Sequence, residues 1–123
     1  MSKAQKKRDE RDAAIATLTR VIREDAAVDE RGRPMIYFVT RSVADSGMSR
    51  VFAAYYIKVD GTRNGVADLL CLNYLLPVAA GYSTTRDGFR ISGGGMDMRF
   101  AVADDIARLV GLDSGNDIAI ASL

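Results

Sequence analysis

Two glycine-bearing segments hold the residues whose types and spacing could do chemistry. Gly93-Gly94-Gly95-Met96-Asp97-Met98 joins a strand-like stretch to a helix-like one. Glycines let a backbone approach a ligand closely, and the first turn of a helix offers free N–H groups to an anion. That combination reads as a phosphate cradle. It lacks the Lys-Ser/Thr ending of a P-loop, and the Gly-x-Gly-x-x-Gly spacing is not met. Asp97 also stands at the N-cap position, where its carboxylate would take the same N–H groups and repel a phosphate. The plainer expectation is a tight strand-to-helix turn capped by Asp97, with Arg99 just inside the helix.

The second segment is Ser46-Gly47-Met48-Ser49-Arg50, preceded by Arg41. Two hydroxyls, a flexible thioether and two guanidinium groups could grip phosphates or a protein surface. A serine nucleophile here would need a base other than histidine, because the chain has 0 histidines. That absence also removes the Ser-His-Asp, Cys-His, zincin and histidine-bearing zinc constellations. The plainer reading is a polar turn between two strands. Met48, Met96 and Met98 all lie in these two segments, where they either fill gaps or make adaptable contacts. No catalytic set, metal site or cofactor site is expected.

The elements that must carry these segments follow from periodicity. Residues 3–25 read as a helix, with Ala14, Ile15, Leu18, Val21 and Ile22 as a narrow apolar stripe. Its first dozen residues are almost all polar and are expected to fray or project. The charged run Lys3, Lys6, Lys7, Arg8 and Arg11 is interleaved with Asp9, Glu10 and Asp12, as in a solvated helix face. Residues 26–34 read as a loop. Met35–Thr40 and Val51–Val59 are rich in β-branched and aromatic residues and predict two strands. Asp60-Gly61 predicts a hairpin, with a return strand over 62–71, so that the three make an antiparallel meander. A single helix over 66–76 is the alternative for that last stretch.

Asn73 is the expected N-cap of a short helix through Ala80, closed by Gly81. Asp87-Gly88 predicts a turn, followed by a short strand over 89–92. Val102, Ile106 and Leu109 then line one helix face, and Gly111 ends it. Ile118-Ala119-Ile120 either adds an edge strand or dangles. Alternation in the strands should place about half of Tyr37, Phe38, Phe52, Tyr55 and Tyr56 on one sheet face. That face is covered by helices, or free to stack bases or meet a second copy of the chain. The expected fold is α+β: a small antiparallel sheet of three to four strands with an N-terminal and a C-terminal helix. A single domain over 1–123 is expected, with 112–123 as a loose tail.

Composition narrows the function classes. The net charge of +1 argues against a purely electrostatic nucleic-acid or membrane binder. The charge is uneven: residues 1–50 hold 11 Lys/Arg against 8 Asp/Glu, and residues 101–123 hold one Arg against four Asp. Cys71 is the single cysteine, so no intramolecular disulfide can form. Its apolar neighbours predict an inert core thiol. No signal peptide or bilayer-length apolar run is read, so the protein is expected to be cytoplasmic.

Ser46 to Arg50 and Gly93 to Met98 resemble segments of a family of small uncharacterised proteins encoded by bacteriophages and prophages. Those proteins carry an Arg-x-x-Ser-x-Ser-Gly-Met-Ser-Arg type segment after their first strand and a Gly-Cys/Gly-Gly-Met-Asp-Met element before a helix. The N-terminal Met1-Ser2-Lys3-Ala4-Gln5-Lys6 is similar as well. Where that family's helix often opens Gly-Phe-His, this chain reads Arg99-Phe100-Ala101. The resemblance implies a phage accessory protein of the bacterial cytoplasm. The leading expectation is a non-enzymatic protein that binds a host protein complex stoichiometrically, such as a CRISPR-like defence system. The alternatives are a nucleic-acid-binding module using Arg41, Arg50, Arg90 and Arg99, and a small enzyme acting on a phosphorylated or nucleotide substrate through Asp97, Ser46 or Ser49, and Arg50.

Overall fold

The computed structural model describes residues 2–42, 49–63, 66–86, 88–91 and 97–121. The fold is α+β, with helices on one face of a mixed four-stranded sheet. Helix α1 spans Lys3–Arg20 and is capped by Ser2, whose hydroxyl accepts the Gln5 N–H at 3.0 Å. It continues as a wider π-helical turn over Val21–Asp25, where the Ala26 N–H reaches back to the Val21 carbonyl. Every side chain from Lys3 to Ala13 is exposed. The charged front of the helix therefore projects, as its polarity predicts. The stripe Ala14, Leu18, Val21 and Ile22 is buried.

Strands β1 (Met35–Ser42), β2 (Ser49–Arg63) and β3 (Val66–Cys71) form the expected antiparallel meander. The rival helix over 66–76 is not formed. The reversal does not fall at Asp60-Gly61 either: β2 runs through both residues, and Arg63 pairs with Val66. β2 carries an extra residue, because Val39 pairs with Ala53 while Thr40 pairs with Val51. The bulged residue is Phe52. The fourth strand, β6 (Ala119–Ala121), lies parallel to β1, so the sheet order is β3-β2-β1-β6. Of the two expectations for the tail, the edge strand is the one observed.

Helix α2 (Leu75–Ala80) ends at Gly81, whose φ of 73° is the left-handed cap conformation. Asn73 does not cap it. Tyr74 holds that position without a side-chain bond, and Asn73 reaches across to β2. A hairpin of β4 (Ser83–Thr85) and β5 (Gly88–Arg90) follows. Helix α3 (Met98–Val110) opens at Asp97 and closes at Gly111, as expected. It buries Val102 and Ile106 completely, and Leu109 is half-buried. Arg23 from the end of α1 donates to the Val110 and Gly111 carbonyls, satisfying the C-terminus of α3.

One core lies between the helices and one sheet face. Ile36, Phe38, Val51, Ala54 and Tyr56 of the sheet pack with Leu18, Leu76, Phe89, Val102 and Ile106. No helix among the described residues is long and apolar enough to cross a membrane.

Candidate functional site

At the start of α3 the geometry is settled by Asp97. Its carboxylate accepts the Arg99 N–H at 3.1 Å, the N-cap bond expected of it. The same carboxylate takes two further bonds from the Arg99 guanidinium, at 3.1 and 3.0 Å. This fork holds the Asp97 carboxyl below the ordinary carboxylate range, and Asp97 in turn raises Arg99. Charge, cap and counter-ion are therefore matched inside three consecutive residues. Met98 is buried in the core, filling space. Gly93, Gly94, Gly95 and Met96 lie outside the described residues, as do Ser46, Gly47 and Met48; Ser49 enters only as backbone at the start of β2.

The strands that carry the two segments touch. Gly88 of β5 packs directly on Val51 and Phe52 of β2, so closely that a Cβ there would stand 2.0 Å from the Val51 carbonyl oxygen. Two residues before Val51, Ser49 opens β2 after 43–48; beyond β5, Ile91 leads to 92–96. The two segments thus leave from neighbouring strands.

Beside this contact is a cleft of about 290 Å³ lined by Phe52, Asn73, Thr84, Thr85, Arg86, Gly88 and Phe89. The Arg41 guanidinium lies 3.8 Å from the centre of the Phe52 ring, a cation–π contact. Arg41 also pairs in register with Arg50 across β1 and β2. Among the described residues neither Arg41, Arg50 nor Arg86 has a carboxylate partner. Of the four arginines expected to cluster, Arg41 and Arg50 stand opposite each other in register and Arg99 is committed to Asp97; the side chain of Arg90 lies outside the described residues.

The second feature is the sheet face turned away from the helices. Tyr37 pairs with Tyr55, and Ile57 pairs with Leu69. Met35, Val39 and Cys71 share that face by alternation, and Arg41 and Arg50 close one end of it. None of these side chains belongs to the helix-side core: Met35, Tyr37, Val39, Tyr55 and Ile57 are half-buried, and Leu69 and Cys71 are exposed. Cys71 is exposed, not the core thiol its neighbours suggested. Its position opposite Tyr55 puts it on the open face, while Leu70 next to it turns toward the core.

The sequence reading missed Asn73, Thr84, Thr85 and Arg86 as cleft residues. One signal was present for two of them: the β-branched Thr84-Thr85 before Asp87-Gly88 is the first arm of a hairpin. Among the described residues no group of three or more His, Cys, Asp or Glu could hold a metal ion.

Comparison with protein-family models, with curated proteins and with solved structures finds no match for this chain.

Proposed function

We propose that the chain is a non-enzymatic accessory protein of phage type that acts in the bacterial cytoplasm by binding a host protein complex, such as a CRISPR-like defence assembly. The observation that supports this reading is the open sheet face, with Tyr37 against Tyr55 and Ile57 against Leu69. Tyrosine and arginine are the residue types that concentrate binding energy at protein interfaces, and here both occupy one face. The resemblance at Ser46–Arg50 and Gly93–Met98 adds to it. An enzymatic reading has less to stand on, since Asp97 is already engaged as a cap and by Arg99.

The test is an affinity pull-down of the tagged full chain from bacterial lysate, with and without nuclease, beside a Tyr55→Glu variant of unchanged circular dichroism. A defined protein complex that survives nuclease and is lost in the variant supports the reading. Partners that vanish with nuclease, or are captured equally by the variant, overturn it.

A second reading, nucleic-acid binding, is favoured by the Arg41–Arg50 rung. Like charges directly opposite on adjacent strands cost stability unless an anion lies between them. A steep loss of oligonucleotide binding with salt would support it.

A further inference from the structure

The cleft beside Gly88 brings together groups from three parts of the chain that no motif links. Phe52 comes from the β2 bulge, Asn73 from the corner after β3, and Thr84 and Arg86 from the β4–β5 hairpin; Arg41 of β1, outside the lining, lies over the Phe52 ring. We propose that this cleft binds one nucleotide unit, the base against the Phe52 ring that Arg41 backs and the phosphate on Arg86. The inference rests on the nucleic-acid reading and makes it specific: the ligand is a single-stranded unit, taken either free or within a strand.

The chemistry of the lining supports this. A guanidinium stacked on an aromatic ring is a platform for a nucleobase, because both are planar and polarisable. Arg86 is exposed and has no carboxylate partner among the described residues, so its forked donors stay available to a phosphate. Asn73 spends one lone pair on the Ala54 N–H and one donor on the Phe52 carbonyl. Its second donor and second lone pair remain to meet a base edge. Thr84 adds an exposed hydroxyl. The volume of about 290 Å³ suits one nucleotide and is too small for a folded partner. Arg50, in register with Arg41, extends the positive ground for the next phosphate of a strand.

The experiment is calorimetric titration of the full chain with each of the four ribonucleoside 5′-monophosphates, with inorganic phosphate, and with an oligouridylate of about ten nucleotides, a length within the span of known single-strand sites. At least one monophosphate should bind with a dissociation constant below about 1 mM. Inorganic phosphate alone should bind about tenfold or more weakly, because it gains no stacking. Arg86→Ala and Arg41→Ala should each weaken nucleotide binding by about tenfold, as the loss of one charge-assisted contact implies. Both are exposed positions, and their melting temperatures should match the parent.

Silence of every monophosphate at millimolar concentration, or binding unchanged in both variants, overturns the cleft proposal. If the oligonucleotide still binds equally well in both variants, the nucleic-acid reading survives and the cleft proposal alone falls. If the oligonucleotide is silent too, both fall.

Discussion

The side-chain carbonyl of Asn73 accepts the backbone N–H of Ala54 at 2.9 Å, and its amide donates to the Phe52 carbonyl at 3.4 Å. One residue earlier, the Leu72 N–H donates to the Ala54 carbonyl. Asn73 thus continues the β3 side of the ladder with its side chain after the backbone has turned away into α2. Ala54 is fully buried, so losing the acceptor leaves its N–H without a partner. Asn73→Ala should cost about 1–3 kcal/mol. Urea unfolding with an unchanged m-value checks this, and Asn73→Asp, which keeps the acceptor, should cost less.

Gly88 and Gly81 make a matched pair. Both have positive φ, at 115° and 73°, but a Cβ on Gly81 would meet nothing within 4 Å. A Cβ on Gly88 would collide with the Val51 and Phe52 backbone. Gly81→Ala should cost only the left-handed conformational penalty, about 1–2 kcal/mol. Gly88→Ala should cost more than about 3 kcal/mol, because the backbone of β2 cannot yield. Thermal melts of the two variants side by side decide it, and equal losses would contradict the packing of β5 on β2.

The Tyr82 hydroxyl donates to Asp105 from a half-buried ring that stacks at a tilt on Phe89. Burial first, and then the bond to Asp105, push the phenol well above its ordinary 10.0. A raised phenol means that the native state holds its proton more tightly than the unfolded chain does. The stability this contributes is complete below pH 10 and is lost as pH rises beyond it. Tyr82→Phe should flatten the alkaline fall of stability, with Tyr56, raised mainly by burial, responsible for what remains. Denaturant midpoints from pH 8 upward are the measurement.

At the acid end the signs reverse. Asp97 is lowered chiefly by the Arg99 side-chain bonds, and Asp29 chiefly by the Arg33 N–H. Each contributes stability that is present above its ordinary 3.8 and lost as pH falls through its lower native value. In a carboxylate NMR titration, Arg99→Ala should move Asp97 back up toward the ordinary value and leave Asp29 where it is. Asp97→Ala should cost about 1 kcal/mol, the usual worth of an N-cap, and Asp97→Asn very little.

Where local chemistry decides structure, the sequence was legible. The stripe of α1, the Asp97 cap, the Gly81 and Gly111 ends, and the two long strands all follow from spacing within a few residues. Asparagine serves helix caps well, but the partner of Asn73 lies 19 residues away on β2. The apolar neighbours of Cys71 predict burial, yet adjacent strand residues face opposite ways, and which face is open depends on where the helices pack. Asp60-Gly61 has hairpin chemistry, but pairing with β3 carries β2 past it. The cleft was not legible at all. Its lining is drawn from residues 52, 73, 84–86, 88 and 89, which share no motif and meet only through the packing of β5 on the bulge.

The parallel pairing of β1 with β6 joins residues made early in synthesis to residues made late. While the ribosome works, Met35, Ile36 and Tyr37 wait with one row of backbone groups unanswered until Ala119–Ala121 emerges. An open edge on a nascent chain is an invitation to neighbours on the same message. The fourth strand can join the sheet only after residues 119–121 have been made, and its arrival closes that side of β1 over Met35, Ile36 and Tyr37.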